Sequence, residues 1–288
     1  MLPTLFTLGR FAVPSYTVLL DLGLILGLVL AYFEGKRVLA DGTLALDAGL
    51  WAIVGGILGG RLGFVLANWT VFREDPIRAL KVWEGGLAFH AAFLGGLLAF
   101  GLIAYLQSRG REEGSWSWTL RLADVLTPSL ALGLTFGWLG CLLSGSAYGA
   151  ISDGFGTAIL PDVTGVEAPR YATQALSAGL AVVLLVLVWL LRKRWPFYGA
   201  AFLMFNLLYF AGQFFIEYLR GDETLYLAGW RLPHLLDLIL ALLAGAGLLV
   251  LWWRYRNSPL LAEPLLEDEP EPEPAGEEIE VVAEGAEG

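Results

Sequence analysis

His90 follows Gly85-Gly86-Leu87-Ala88-Phe89 and opens an apolar run long enough to cross a bilayer. It is one of only two histidines in 288 residues. Ionisable side chains at membrane depth are costly and tend to mark function, and imidazole is the side chain most readily poised to move a proton near neutral pH. Upstream, Gly59-Gly60-Arg61-Leu62-Gly63 sets an arginine in an equally apolar run. A base and a fixed cation in such surroundings suggest chemistry on an anionic lipid headgroup.

Other polar residues within apolar runs carry two readings each. Glu217 and Arg220 stand three apart, share a helix face and can pair. They are either a structural ion pair locking two helices or a device in which Arg220 donates to a lipid phosphate while Glu217 fixes its fork. Arg220 falls at the outer end of its predicted span, which favours the second. Arg61 either snorkels to an interface or, between glycines, lies open to backbone or lipid. His90 is either a satisfied polar residue packed between helices or a base beside a Gly-Gly turn. Tyr16 reads by type as an aromatic-belt residue. Asp124 reads as a helix-terminus partner for Arg121. The stretch from Gly137 to Gly149 is rich in small residues, which permits close helix crossing or an irregular backbone that lines a cavity.

The single cysteine, Cys141, excludes an internal disulfide and a cysteine metal cluster. With no histidine near it in sequence it is a weak nucleophile candidate. Two distant histidines make no metal site, and neither a phosphate-binding P-loop nor a dinucleotide fingerprint is present. No metal, no cofactor and no nucleic-acid partner is expected.

These residues need a scaffold, and composition indicates which. Hydrophobic residues make up 57% of the chain and charged residues 16%, with a mean hydropathy of +0.64. A soluble domain of this length could not hide so much apolar surface, so an all-α integral membrane protein is expected. Seven apolar runs lie at about 16–34, 45–67, 86–106, 121–148, 172–191, 199–219 and 234–253. The net charge of −10 belongs to a tail: eleven of the 28 acidic residues lie in 263–288, and 18 Lys and Arg face 17 acidic residues elsewhere. The expected domains are a seven-span unit over 1–255 and an acidic tail over 256–288, too polar to fold. Met1 to Arg10 lacks the features of a secretory signal.

Loop charges orient the spans. Lys36, Arg37, Arg109, Arg111, Arg192, Lys193, Arg194, Arg254 and Arg256 fall in alternate loops. The positive-inside rule makes that side cytoplasmic, with the N-terminus outside and the C-terminus inside. Arg73, Arg78 and Lys81 oppose this, but three basic residues weigh less than nine.

The stretch GGRLGFVLANWTVFREDPIRALKVWEGGLAFHAAFLGG (59–96) resembles, in order and spacing, the glycine-arginine element, Asp-Pro loop and Gly-Gly-x-x-x-His element of the prolipoprotein diacylglyceryl transferases. Ser15-Tyr16 is similar to that family's first-span tyrosine. Ala123-Asp124-Val125-Leu126-Thr127-Pro128 resembles the opening of its signature region, and Gln213 to Arg220 resembles its late Phe-x-x-Glu-x-x-Arg helix. The likeness covers nearly all of 10–255. It implies a multi-pass enzyme of the bacterial cytoplasmic (inner) membrane, among membrane lipids. Such an enzyme moves a diacylglyceryl group from phosphatidylglycerol to the lipobox cysteine thiol of a preprolipoprotein, forming a thioether and releasing glycerol 1-phosphate. In that frame His90 and Tyr16 are the expected catalytic residues. Arg220, Arg61, Glu217 and the retained signature glycine Gly149 are expected at the lipid phosphate.

The chain departs from the family at named positions. Trp138 stands where the signature usually has arginine, Cys141 where it commonly has asparagine, and Ser146 at an acidic or cysteine position. Ala91 and Ala92 replace two glycines, Ala172 to Ser177 reduce a Pro-x-Gln-Leu-Tyr-Glu element, and Gln213 replaces an arginine. With the signature cation gone, another must hold phosphate, and Arg61 is the expected substitute. Two alternatives follow: a paralogue using another lipid or acceptor, and a non-catalytic lipid- or lipoprotein-binding membrane protein on the same scaffold.

Overall fold

A backbone in hydrocarbon must satisfy its own polar groups, so long apolar runs become helices. The computed structural model describes residues 4–8, 11–82 and 85–257. A strand pair, β1 (Thr4–Leu8) and β2 (Phe11–Pro14), precedes α1 (Ser15–Leu39) and α2 (Gly42–Ala67). A short helix, α3 (Trp69–Phe72), and a 3-10 turn (Pro76–Leu80) lead to α4 (Phe89–Gln107) and α5 (Ser115–Ser144). A hairpin of β3 (Thr157–Pro161) and β4 (Glu167–Tyr171) comes next, then α6 (Thr173–Leu191) and α7 (Ala200–Glu217). The two-residue strands β5 (Tyr226–Leu227) and β6 (Trp230–Arg231) precede α8 (Leu232–Asn257). The seven helices α1, α2 and α4 to α8 are each long and apolar enough to cross a membrane. The acidic tail from 258 onward lies outside the described residues.

Most large apolar side chains on these helices face outward, Leu98 at 77% exposure and Leu62 at 61% among them. Lipid can solvate them, so inter-helix cohesion must come from close packing and polar contacts. Small residues supply the first: a Cβ placed on Gly59 would lie 2.8 Å from the Gly95 Cα, so α2 and α4 touch backbone to backbone. Gly23 of α1 instead makes room for the Phe136 side chain of α5. Two cores form, one around Ala45, Ala48, Phe100, Ala104, Trp118 and Leu122, the other around Ala131, Leu184, Val188, Phe205, Tyr209 and Phe210.

Asp124 corrects one sequence expectation. Its carboxylate does not serve Arg121. It accepts the backbone N–H groups of Gly199 (2.6 Å) and Phe202 (2.8 Å), capping the N-terminus of α7 from α5. Those donors have no intrahelical partner, and a carboxylate suits the positive end of the helix dipole. Arg121 instead donates to the Val38 carbonyl at 2.7 Å and pairs with Glu113 at 3.5 Å.

The fourth span also ends earlier than the apolar run suggests, though it begins earlier too. It ends at Ser144, where Gly145 takes φ +76° and turns the chain out of the helix. Successive spans alternate in direction, so the starts of α1, α4, α6 and α8 meet the ends of α2, α5 and α7. At that end the connections are long (68–88, 145–172 and 218–231), and at the other end they are short.

Candidate functional site

The site is built on the long-loop end. After Gly145 the chain runs extended from Tyr148 to Ile151, wedged between the end of α7 and β4. Gly221 donates to the Tyr148 carbonyl at 3.0 Å, Ala150 to the Leu219 carbonyl at 2.8 Å, and Tyr171 to the Ala150 carbonyl at 3.2 Å. Gly149 lies opposite Arg220 in this ladder. The start of α6 fastens the same segment: Gln174 donates to the Ser146 carbonyl at 2.9 Å and Thr173 to that of Ala147 at 2.8 Å.

The ladder presents Arg220 to a cluster of four charges. Arg220 reaches Glu217 at 3.2 Å, the predicted pair. Its fork, however, lies on Asp222: Nε donates to Oδ1 at 2.9 Å and Nη2 to Oδ2. Arg231 closes the group, with Nε on Glu217 at 2.9 Å and Nη2 on Asp222 at 3.0 Å. Two guanidiniums and two carboxylates balance. An incoming phosphate would compete with the Asp222 carboxylate for a fork already shaped for planar oxygen pairs.

Behind this cluster the polar contacts continue toward α4. Cys141 lies in the last turn of α5. The Tyr16 ring packs against Gly140, one residue before it. Trp138, at the departed signature position, donates its indole N–H to the Tyr209 hydroxyl at 3.0 Å. Ser177 donates to Gln213 Oε1 at 3.2 Å, while Gln213 Nε2 is buried without a hydrogen-bond partner among the described residues. His90 stands at the start of α4 with Nε2 2.7 Å from Asp237 Oδ1 of α8.

Arg61 is not in this group. Its Nε donates to the Ala79 carbonyl at 2.8 Å, Nη2 to that of Arg78, and Nη1 to those of Gly85 and Gly86. Phe72 and Phe64 lie beside the guanidinium, at 5.3 and 5.8 Å. Arg61 is 6% exposed, and the nitrogens of its fork are engaged by the loop that leads to His90. In this geometry the Arg61 fork, expected at a lipid phosphate, grips loop carbonyls. Backbone carbonyls bent out of helix at this depth need donors, and a buried arginine supplies several at once.

Residues 3–253 match the family model described as prolipoprotein diacylglyceryl transferase. The chain belongs to the prolipoprotein diacylglyceryl transferase family. A relative in Bacillus licheniformis, named phosphatidylglycerol–prolipoprotein diacylglyceryl transferase, is 33% identical over 265 residues, 88% of this chain and 93% of its own length. One of the same name in Halalkalibacterium halodurans is 30% identical over 271 residues, covering 90% and 88%. Another in Thermus thermophilus is 35% identical over 227 residues, covering 70% and 77%.

In this member of the prolipoprotein diacylglyceryl transferase family the fold gathers Tyr16, His90, Gly149, Glu217 and Arg220 at one end. It adds three groups that sequence reasoning missed: Asp222, Arg231 and Asp237. Asp222 follows Arg220 by two residues, and Arg231 precedes an apolar run. Either could have been suspected as headgroup-depth charges. Asp237 had a clearer signal, since it is an acidic residue inside the seventh apolar run.

Proposed function

We propose that this chain transfers a diacylglyceryl group from phosphatidylglycerol to the lipobox cysteine thiol of a preprolipoprotein. The observation that carries the reading is a paired imidazole and a two-arginine, two-carboxylate cluster at the same end of a seven-span bundle. Such a transfer needs a cation for phosphate and a base for a thiol. His90 takes the thiol proton. The sulfur then attacks the glyceryl carbon, the carbon–oxygen bond to phosphate breaks, and glycerol 1-phosphate leaves with the electron pair. Arg220 holds the phosphate with Glu217 steadying it, and Arg231 rather than Arg61 supplies the second guanidinium. Gly149 keeps the ladder close behind Arg220, and Tyr16 offers a phenol donor beside Gly140. Holding lipid and thiol together does much of the remaining work.

The test uses purified protein in phosphatidylglycerol vesicles with a lipobox peptide. The expected result is a peptide heavier by one diacylglyceryl group, with glycerol 1-phosphate released in equal amount. An unmodified peptide that still binds the vesicle-embedded protein would overturn the transferase reading and leave a binder.

The same reading sets the chain in the bacterial inner membrane with the site end outward. The nine basic residues from Lys36 to Arg256 flank the opposite ends of the spans, which favours those ends as cytoplasmic. A reporter fused after Arg256 should read as cytoplasmic, and one fused before Met1 as external. The reverse at both positions would sink the orientation.

A further inference from the structure

We propose that Asp237 is a positioning residue for the transfer: its carboxylate holds His90 with a hydrogen on Nε2, so that Nδ1 is the nitrogen that takes the acceptor thiol's proton. This rests on the reading of His90 as the base.

The pairing is tertiary, between residues 147 apart in sequence. Asp237 is 3% exposed and sits in the second turn of α8, while His90 is the second residue of α4. The two helices do not pack along their length, so the pair is formed by side chains that reach across. The imidazole is held in orientation by aromatic rings: Phe89 stands edge-on with centroids 5.3 Å apart, and Phe210 lies near-parallel at 6.5 Å. A ring so fixed has one nitrogen on the carboxylate and the other directed elsewhere.

The chemistry follows from donor rules. An ionised carboxylate only accepts, so Nε2 must carry the hydrogen, and a neutral imidazole then has its lone pair on Nδ1. When the thiol S–H proton moves to Nδ1, the ring becomes a cation 2.7 Å from Asp237, and the pair becomes charge-balanced as the base acts. The sulfur electron pair forms the new carbon–sulfur bond, the carbon–oxygen bond to phosphate breaks, and the imidazolium later passes its proton to water. A carboxylate without such a partner is expensive in an apolar bundle. The hydroxyl of Tyr209, whose ring lies beside Phe89 and Phe210, accepts from Trp138.

The chain's two histidines make the test direct. In ring-labelled protein carrying His234→Gln, nitrogen NMR reports His90 alone. The expected spectrum at alkaline pH shows the hydrogen on Nε2 and the lone pair on Nδ1. Asp237→Asn should lose that preference, because an amide can donate to Nε2 as readily as accept from it. It should lower kcat by about 100-fold or more while KM for phosphatidylglycerol stays within about twofold, and Asp237→Glu should recover part of the rate. Asp237→Ser serves with the same readouts if the amide variant fails to insert. Wild-type protein with the hydrogen on Nδ1, or an Asp237→Asn enzyme that keeps both tautomer and rate, would overturn the proposal. Full activity in His90→Ala would instead remove the base reading, and the tautomer measurement would still decide the pairing.

Discussion

Replacing His90 with alanine is expected to lower thioether formation by at least about 100-fold while the protein remains inserted in the membrane, since a positioned base contributes roughly 10²–10⁴ in rate. The variant also strands the Asp237 carboxylate in a buried site, and a buried acceptor that loses its donor costs about 1–3 kcal/mol, more when the acceptor is charged. Lower thermal stability should therefore accompany the lost rate. His90→Gln separates the two effects: its amide can still donate to Asp237 but cannot act as a base near neutral pH. Stability should largely return in the glutamine variant and activity should not. Activity within about tenfold of the parent in either variant, roughly 1.4 kcal/mol in the barrier, would make His90 a structural tie between α4 and α8.

The second large effect is expected at Gly149. A Cβ placed there would overlap the Tyr171 carbonyl oxygen, and the Tyr171 backbone carbon would lie only 2.9 Å away. That obstacle is backbone within a ladder, so no side-chain rotation relieves it. Gly149→Ala must push β4 away or break the bridge to Arg220, and either displaces the cluster of Arg220, Asp222 and Arg231. Phosphatidylglycerol turnover should fall by about 100-fold or more, as a displacement of order 1 Å at a reacting centre can cost that much. Overall helicity and insertion should persist, because the seven spans do not depend on this segment. A fully active Gly149→Ala enzyme would show that the ladder does not set the position of Arg220.

The seven spans were legible because apolar length is a signal that survives without context, and all seven predicted runs coincide with helices. The pair Glu217–Arg220 was legible because helical spacing alone puts i and i+3 on one face. What the sequence concealed depends on contacts between distant segments. Arg61 looked available between glycines, yet nothing in its neighbours foretold that the loop around Arg78 and Gly85 would fold back onto it. Asp124 stands three residues from Arg121, but the donors it meets come from Gly199 and Phe202, on a helix two spans later. Asp237 and His90 are separated by four spans' worth of chain, and only the bundle's closure makes them neighbours. The end of α5 was misjudged because Gly145 to Tyr148 is apolar enough to continue a span, and the φ of Gly145 decides otherwise.

The backbone contact at Gly59 and Gly95 has a consequence for traffic in the bilayer. Two helices that touch main chain to main chain leave no cleft wide enough for an acyl tail, and the Phe136 side chain seated on Gly23 fills the boundary between α1 and α5. Those two boundaries are walls to a lipid arriving sideways. A molecule with two fatty chains must load along a different margin of the bundle, and enlarging the glycines would loosen the walls without opening the door.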